Sequence, residues 1–104
     1  MKNIPPLYHW SPSRNRASIR EKGLVPGPDM PHNGVPVVCL ALDPHTGWRY
    51  RSRWPALSWD LWQVNLADTP IFRRRDLDKV VEIRVPRTIL PQGLTLLAVR
   101  DWKD

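Results

Sequence analysis

The chain has 104 residues, 41% of them hydrophobic and 25% charged, a globular composition that leaves room for one domain, residues 1–104, and for no second one. Sixteen Lys and Arg against ten Asp and Glu give a net charge of +6 and a pI near 10.3, which favours polyanionic partners such as DNA or RNA. A single cysteine, Cys39, excludes an internal disulfide and a cysteine-based zinc cluster; with no apolar leader and no run of about 18 apolar residues, the expectation is a cytoplasmic protein with no membrane partner.

Twelve prolines predict short elements joined by fixed turns rather than long helices. Pro5 and Pro6 hold the start extended, and Leu7–Trp10 reads as a brief strand. Ser11 then offers a capping hydroxyl and Pro12 suits the first helical position. A helix of about three turns is expected to close at Gly23 in a left-handed cap, with Leu24 packed behind it. Only Ala17 and Ile19 are apolar within it, so it belongs on the surface. Val25–Gly34 holds three prolines and two glycines and reads as a loop. Val35–Leu42 is a dense apolar run, read as one strand buried on both faces.

Asp43 and Pro44 repeat the cap-plus-proline grammar, so His45–Arg51 is expected to form a second short helix carrying Trp48 and Tyr50, with Gly47 its weak point. In "SWDLWQVNL", Trp59 and Leu61 share one face while Trp62, Val64 and Leu66 share the other, as in a central strand. A Pro70 loop and a charge run, Arg73–Asp78, lead into "KVVEIRVP". There Val81, Ile83 and Val85 point one way, Val80, Glu82 and Arg84 the other, and Pro86 ends the strand. Ile89–Gly93 reads as a turn or single helical turn, and Leu94–Val99 as the last strand. The layout is α+β, with strands dominating and no internal repeat.

His9, His32 and His45 stand in separate local contexts without metal-site spacing, so no metal is expected. Cys39 lies inside an apolar run and reads as buried and inert. Phosphate-loop patterns are absent. The arginines cluster at Arg14/Arg16/Arg20, Arg49/Arg51/Arg53 and Arg73/Arg74/Arg75, and their planar forks suit phosphate or carboxylate, with three solvated faces as the plain alternative. His9, Trp48 or Tyr50, and Glu82 remain as candidates for chemistry, each on or beside a strand. Each also has a plain structural reading: a strand-end imidazole, core aromatics, and an exposed Glu82–Arg84 pair on a solvated face.

In order along the chain, "LYHWS" with "ASIREKGL", "VPVVCLALDPHTGWRY", and "WDLWQVNL" with "VVEIRVPRTIL" resemble the motifs of the ADP-ribosyltransferase superfamily, which includes RNA 2'-phosphotransferases and DNA-modifying toxins. The resemblance implies a small split β-sheet core with two or three short helices. It implies NAD as co-substrate and mono-ADP-ribosyl transfer of toxin or phage type to nucleic acid or a nucleic-acid-associated protein. By it His9 and Glu82 are the catalytic pair, His9 on the nicotinamide ribose and Glu82 beside the developing positive charge. Tyr8, His9, Trp10, Ser11, Trp48 and Tyr50 would bind NAD, with Arg16 and Arg20 on its pyrophosphate. The second-motif tyrosine position falls near Cys39 and is not aromatic. RNA 2'-phosphotransfer and a catalytically silent, basic nucleic-acid-binding module are the alternatives.

Overall fold

A computed structural model describes residues 5–27, 31–32, 35–49, 51, 55–66, 72–76 and 79–101. In chain order the strands are β1 (Leu7–Pro12), β2 (Pro31–His32), β3 (Val35–Pro36), β4 (Val38–Leu40), β5 (Ser58–Val64), β6 (Phe72–Asp76), β7 (Lys79–Val85) and β8 (Leu94–Asp101). Two short helices, α1 (Arg16–Lys22) and α2 (Pro44–Arg49), accompany them, with 3-10 turns at Ser13–Asn15 and Pro91–Gly93. Two three-stranded sheets, in the orders β1-β5-β8 and β4-β7-β6, and the small β2-β3 ladder are antiparallel throughout. The domain is α+β, and no helix among the described residues is long and apolar enough to cross a membrane.

The two-faced pattern of β5 organises the interior. Trp62 and Val64 enter a core with Leu7, Ile19, Leu24, Val38, Leu40, Ile83, Val85 and Ile89, while Trp59 and Leu61 enter a second cluster with Trp10 and Trp48. Each such large apolar side chain contributes roughly 1.5–3 kcal/mol by leaving water. β5 is central because both faces are apolar and both edges are paired. The ladder to β8 passes from Leu61 opposite Ala98 to Trp62 opposite Leu96, so Leu97 is bulged out and stands half exposed.

Ser11 and Pro12 do not start α1, whose N-cap position is Asn15. They extend β1, with Ser11 opposite Asp60 and Pro12 opposite Trp59. Sheet pairing satisfies the backbone there, and a proline at the strand's last position sacrifices little. The chain then makes the Ser13–Asn15 turn before α1, which buries only Ile19.

Val35–Leu42 is likewise divided. The exposed β3 pairs with β2 inside the expected loop, Val37 lies between the two ladders, and the strand paired to β7 begins at Val38. The expected charge-run segment is in part strand β6, held by β7. At α2 the local grammar holds: Asp43 accepts the Thr46 backbone N–H at 2.8 Å and its hydroxyl at 2.9 Å. Those two bonds keep the Asp43 carboxyl below the usual range. The helix ends at Arg49, short of the expected Arg51. Gly47 is required by proximity, since a Cβ there would sit 3.0 Å from the Ala41 Cβ and 3.2 Å from the Trp10 ring.

Gly23 ends α1 at φ +86°, ψ −166°, positive in φ but extended in ψ rather than a left-handed helical cap. This geometry, open essentially to glycine alone, turns the chain into the reciprocal Leu24–Ile89 hydrogen bonds, both 2.9 Å. A side chain at position 23 would collide with the Ile89 carbonyl oxygen. Gly23→Ala is therefore expected to lower unfolding free energy by about 2 kcal/mol or more in denaturant melts; a loss under roughly 0.5 kcal/mol would contradict this account.

Candidate functional site

β1 and β4 belong to different sheets; Tyr8 of β1 forms a bridge with Ala41, just after β4, with Tyr8 N–H donating to Ala41 O at 2.9 Å and Ala41 N–H to Tyr8 O at 2.8 Å. Past it the two strands are linked by a side chain: His9 Nδ1 lies 2.9 Å from the Cys39 carbonyl oxygen. A carbonyl only accepts, so Nδ1 carries the hydrogen, and in the neutral ring Nε2 keeps a lone pair. Burial pushes the imidazole pKa below its ordinary value, and the Cys39 carbonyl only partly offsets it. His9 is therefore neutral at pH 7, with Nε2 an acceptor.

Where the sheets part lies a cleft of about 210 Å³, lined by Tyr8, His9, Trp10 and Ser11 of β1, by β4, by the Leu24–Val25 turn and by Glu82 of β7. Glu82 does not stand on a solvated face. It is 5% exposed, and its Oε2 accepts from Arg84 Nη2 at 3.2 Å and Nε at 3.3 Å. The pairing expected with Arg84 is present, but inside the molecule, where a lost partner costs far more than on the surface. Cys39, expected to be buried, is partly exposed and lines the cleft. Ser11 is buried, with Asn15 Nδ2 donating to its hydroxyl at 3.5 Å.

The remaining site candidates lie elsewhere. Trp48 is a core residue, packed edge-on against Trp10 at 4.8 Å and Trp59 at 6.0 Å between ring centroids; it does not line the cleft. Tyr50 lies outside the described residues. Arg16 is turned inward, its Nε and Nη2 both 2.7 Å from the carboxylate of Asp60, which also accepts from Ser13 Oγ at 2.6 Å. Arg20 is exposed on α1 and borders a separate hollow beside Trp62 and Thr95. Neither arginine is a lining residue of the His9–Glu82 cleft.

Two further residues matter here, Arg51 of the second arginine cluster and Asp60. Arg51 lines the cleft. Its Nη1 donates to the Trp48 carbonyl at 2.6 Å, and its guanidinium lies 3.8 Å from the Trp48 ring centroid and 5.3 Å from that of Trp59. Its position three residues after a tryptophan at a helix end was the available signal. Asp60 is fully buried; Arg16 first, then Ser13, hold its carboxyl below the usual range against the opposing effect of burial. A lone carboxylate amid the apolar pattern of "SWDLWQV" calls for a cation partner, here the partly exposed Arg16.

Among the described residues no group of three or more His, Cys, Asp or Glu is placed to hold a metal ion. The chain matches no protein-family model and no curated protein at a significant level.

Nitrogen-resolved NMR is expected to show His9 with a protonated Nδ1, a bare Nε2 and a titration midpoint below 6.5; a midpoint at or above that value, or the opposite tautomer, would contradict the geometry. Asp60 supplies a second test. Its folded pKa lies below the unfolded one, so its contribution is complete above about pH 4 and is lost as pH falls through the folded value. Asp60→Asn is expected to cost about 1–2 kcal/mol at pH 7, because the Arg16 left behind is partly solvated, and to flatten the acid limb of the stability curve, while equal acid sensitivity in both proteins would refute the assignment.

Proposed function

We propose that the cleft is the site of an NAD-dependent mono-ADP-ribosyltransferase, built on a split-sheet core of the ADP-ribosyltransferase type and acting on nucleic acid or a nucleic-acid-bound protein. The supporting observation is that His9 and Glu82, from opposite ends of the chain, line one cleft together with Tyr8, Trp10 and Ser11. About 210 Å³ is below the usual span of pockets that enclose a whole ligand. It suits the nicotinamide-ribose half of NAD, with the adenosine half lying across the open mouth.

Each group then has a defined task. Neutral His9, fixed by Cys39, accepts a hydrogen bond from a ribose hydroxyl at Nε2 and so orients the sugar. The Glu82 carboxylate accepts from ribose and stands near the anomeric carbon. As the C1'–nitrogen bond breaks, its electron pair leaves with nicotinamide, and positive charge grows on the sugar. A preorganised carboxylate stabilises that charge most when water is scarce. A nucleophilic nitrogen or oxygen of the acceptor forms the new bond to C1' and releases its proton. Tyr8 and Trp10 offer aromatic surface to the nicotinamide ring.

The inward Arg16 and remote Arg20 weaken the 2'-phosphotransferase reading, which calls for several arginines around the histidine. Saturating NAD is expected to raise the melting temperature by several degrees, and labelled NAD is expected to release nicotinamide with an RNA, DNA or protein pool. Glu82→Gln should slow release by about 10²–10³ while retaining the thermal shift, and His9→Ala should weaken both. Absence of a thermal shift and of nicotinamide release in every pool would overturn the proposal.

A further inference from the structure

A second feature adjoins the cleft without being part of the His9–Glu82 pair. Arg100, exposed near the end of β8, places its guanidinium 4.1 Å from the Trp48 ring centroid, and Arg51 places its own 3.8 Å from the same centroid. β5 brings them together: Arg100 is opposite Trp59 in the β5–β8 ladder, and Trp59 packs against Trp48. The shared ring puts the two cations within about 8 Å of each other, no more than one Debye length at physiological salt. Stacking on indole offsets part of their repulsion. Arg51 is itself a lining residue of the cleft, and Arg100 is tied to it through the shared ring.

We propose that Arg51 and Arg100, braced on Trp48, form a phosphate-binding site that holds the backbone of a single-stranded nucleic acid whose adjoining nucleotide reaches the mouth of the cleft. This deepens the transferase reading, and rests on it only for what happens inside the cleft. Two guanidinium groups that share one indole repel each other, and an anion bound to both offsets that repulsion; loss of water around Arg51 together with the charge of Arg100 pulls the Arg51 pKa down. Among anions, phosphate matches the fork geometry of both groups. The net charge of +6 supplies the long-range attraction a polyanion feels. A single strand is favoured over a duplex because the mouth of a recess between two sheets, with a buried carboxylate in its wall, is reached only by a nucleotide free of its stack.

The test is fluorescence anisotropy of the full chain with labelled single-stranded DNA and RNA 15-mers across a sodium chloride series. Arg100 is exposed, so Arg100→Gln leaves the core intact. This variant is expected to weaken binding about tenfold at low salt and to make the log–log salt slope shallower by about 0.7, the value for one lost single-strand phosphate contact. Arg100→Lys should recover most of the slope, which a purely structural stacking role would not. Unlabelled duplex should compete less well than the single strand.

Unchanged affinity and slope in Arg100→Gln would overturn the proposal. So would polyglutamate competing as well as the oligonucleotide, or a variant that loses only the NAD thermal shift, which would assign the pair to the co-substrate's pyrophosphate. If Arg100→Gln weakens oligonucleotide binding while the native chain never turns over NAD, the phosphate site stands and the transferase reading falls.

Discussion

The hydrogen bond between the His9 ring and the Cys39 carbonyl is the constraint on which the site depends. It lies just past the Tyr8–Ala41 backbone bridge that joins the two sheets, where the main chains of β1 and β4 diverge. Its net contribution to stability is modest, on the order of 1 kcal/mol. Its consequence for chemistry is larger: the carbonyl dictates the tautomer, and burial keeps the ring neutral. Had the strands continued to pair, main-chain hydrogen bonds would fill the gap and no cleft would open. A ring in place of a ladder rung converts a sheet edge into a pocket wall.

The rest of the polar interior serves to hold β1 in that position. Asp60, fully buried in β5, gathers Arg16 and Ser13 onto one carboxylate. The 3-10 turn and α1 are thereby tied to the central strand directly after the segment bearing His9 and Ser11. A bidentate charge-assisted pair provides direction as well as energy. Gly47 lets α2 approach Trp10 closely, and Trp10 Nε1 donates to the Pro44 carbonyl at 2.8 Å. The strand carrying the imidazole is therefore fixed from the β5 side and from the α2 side. Glu82 reaches the same cleft from the other sheet, its charge balanced by Arg84.

What was legible in the sequence was what is encoded locally or by periodicity. Asp43–Pro44 announces α2 because the cap and its Thr46 partner are three residues apart. The alternation in β5 announces a two-faced central strand because each face meets its own cluster. Ser11–Pro12 misleads for the converse reason. A serine before a proline has the same local chemistry at a helix start as at a strand end, and only the distant β5 decides between them. The assignment of Arg16 to an anion was chemically sound, but the anion is Asp60 of this same chain rather than a ligand. Trp48 read as a site aromatic because it follows the second apolar run, yet two neighbouring indoles draw it into the core. His9 and Glu82 share a cleft through sheet topology that no window of sequence contains, and their selection came through resemblance rather than pattern.

A crystal structure of the chain with NAD or a non-hydrolysable analogue tests this account most directly. The account predicts a ribose between the two sheets, a hydroxyl within hydrogen-bonding distance of His9 Nε2, the Glu82 carboxylate on the same sugar and the Nδ1 bond to Cys39 intact. A dinucleotide seated in the hollow by Arg20, or a ribose touching neither His9 nor Glu82, would contradict it.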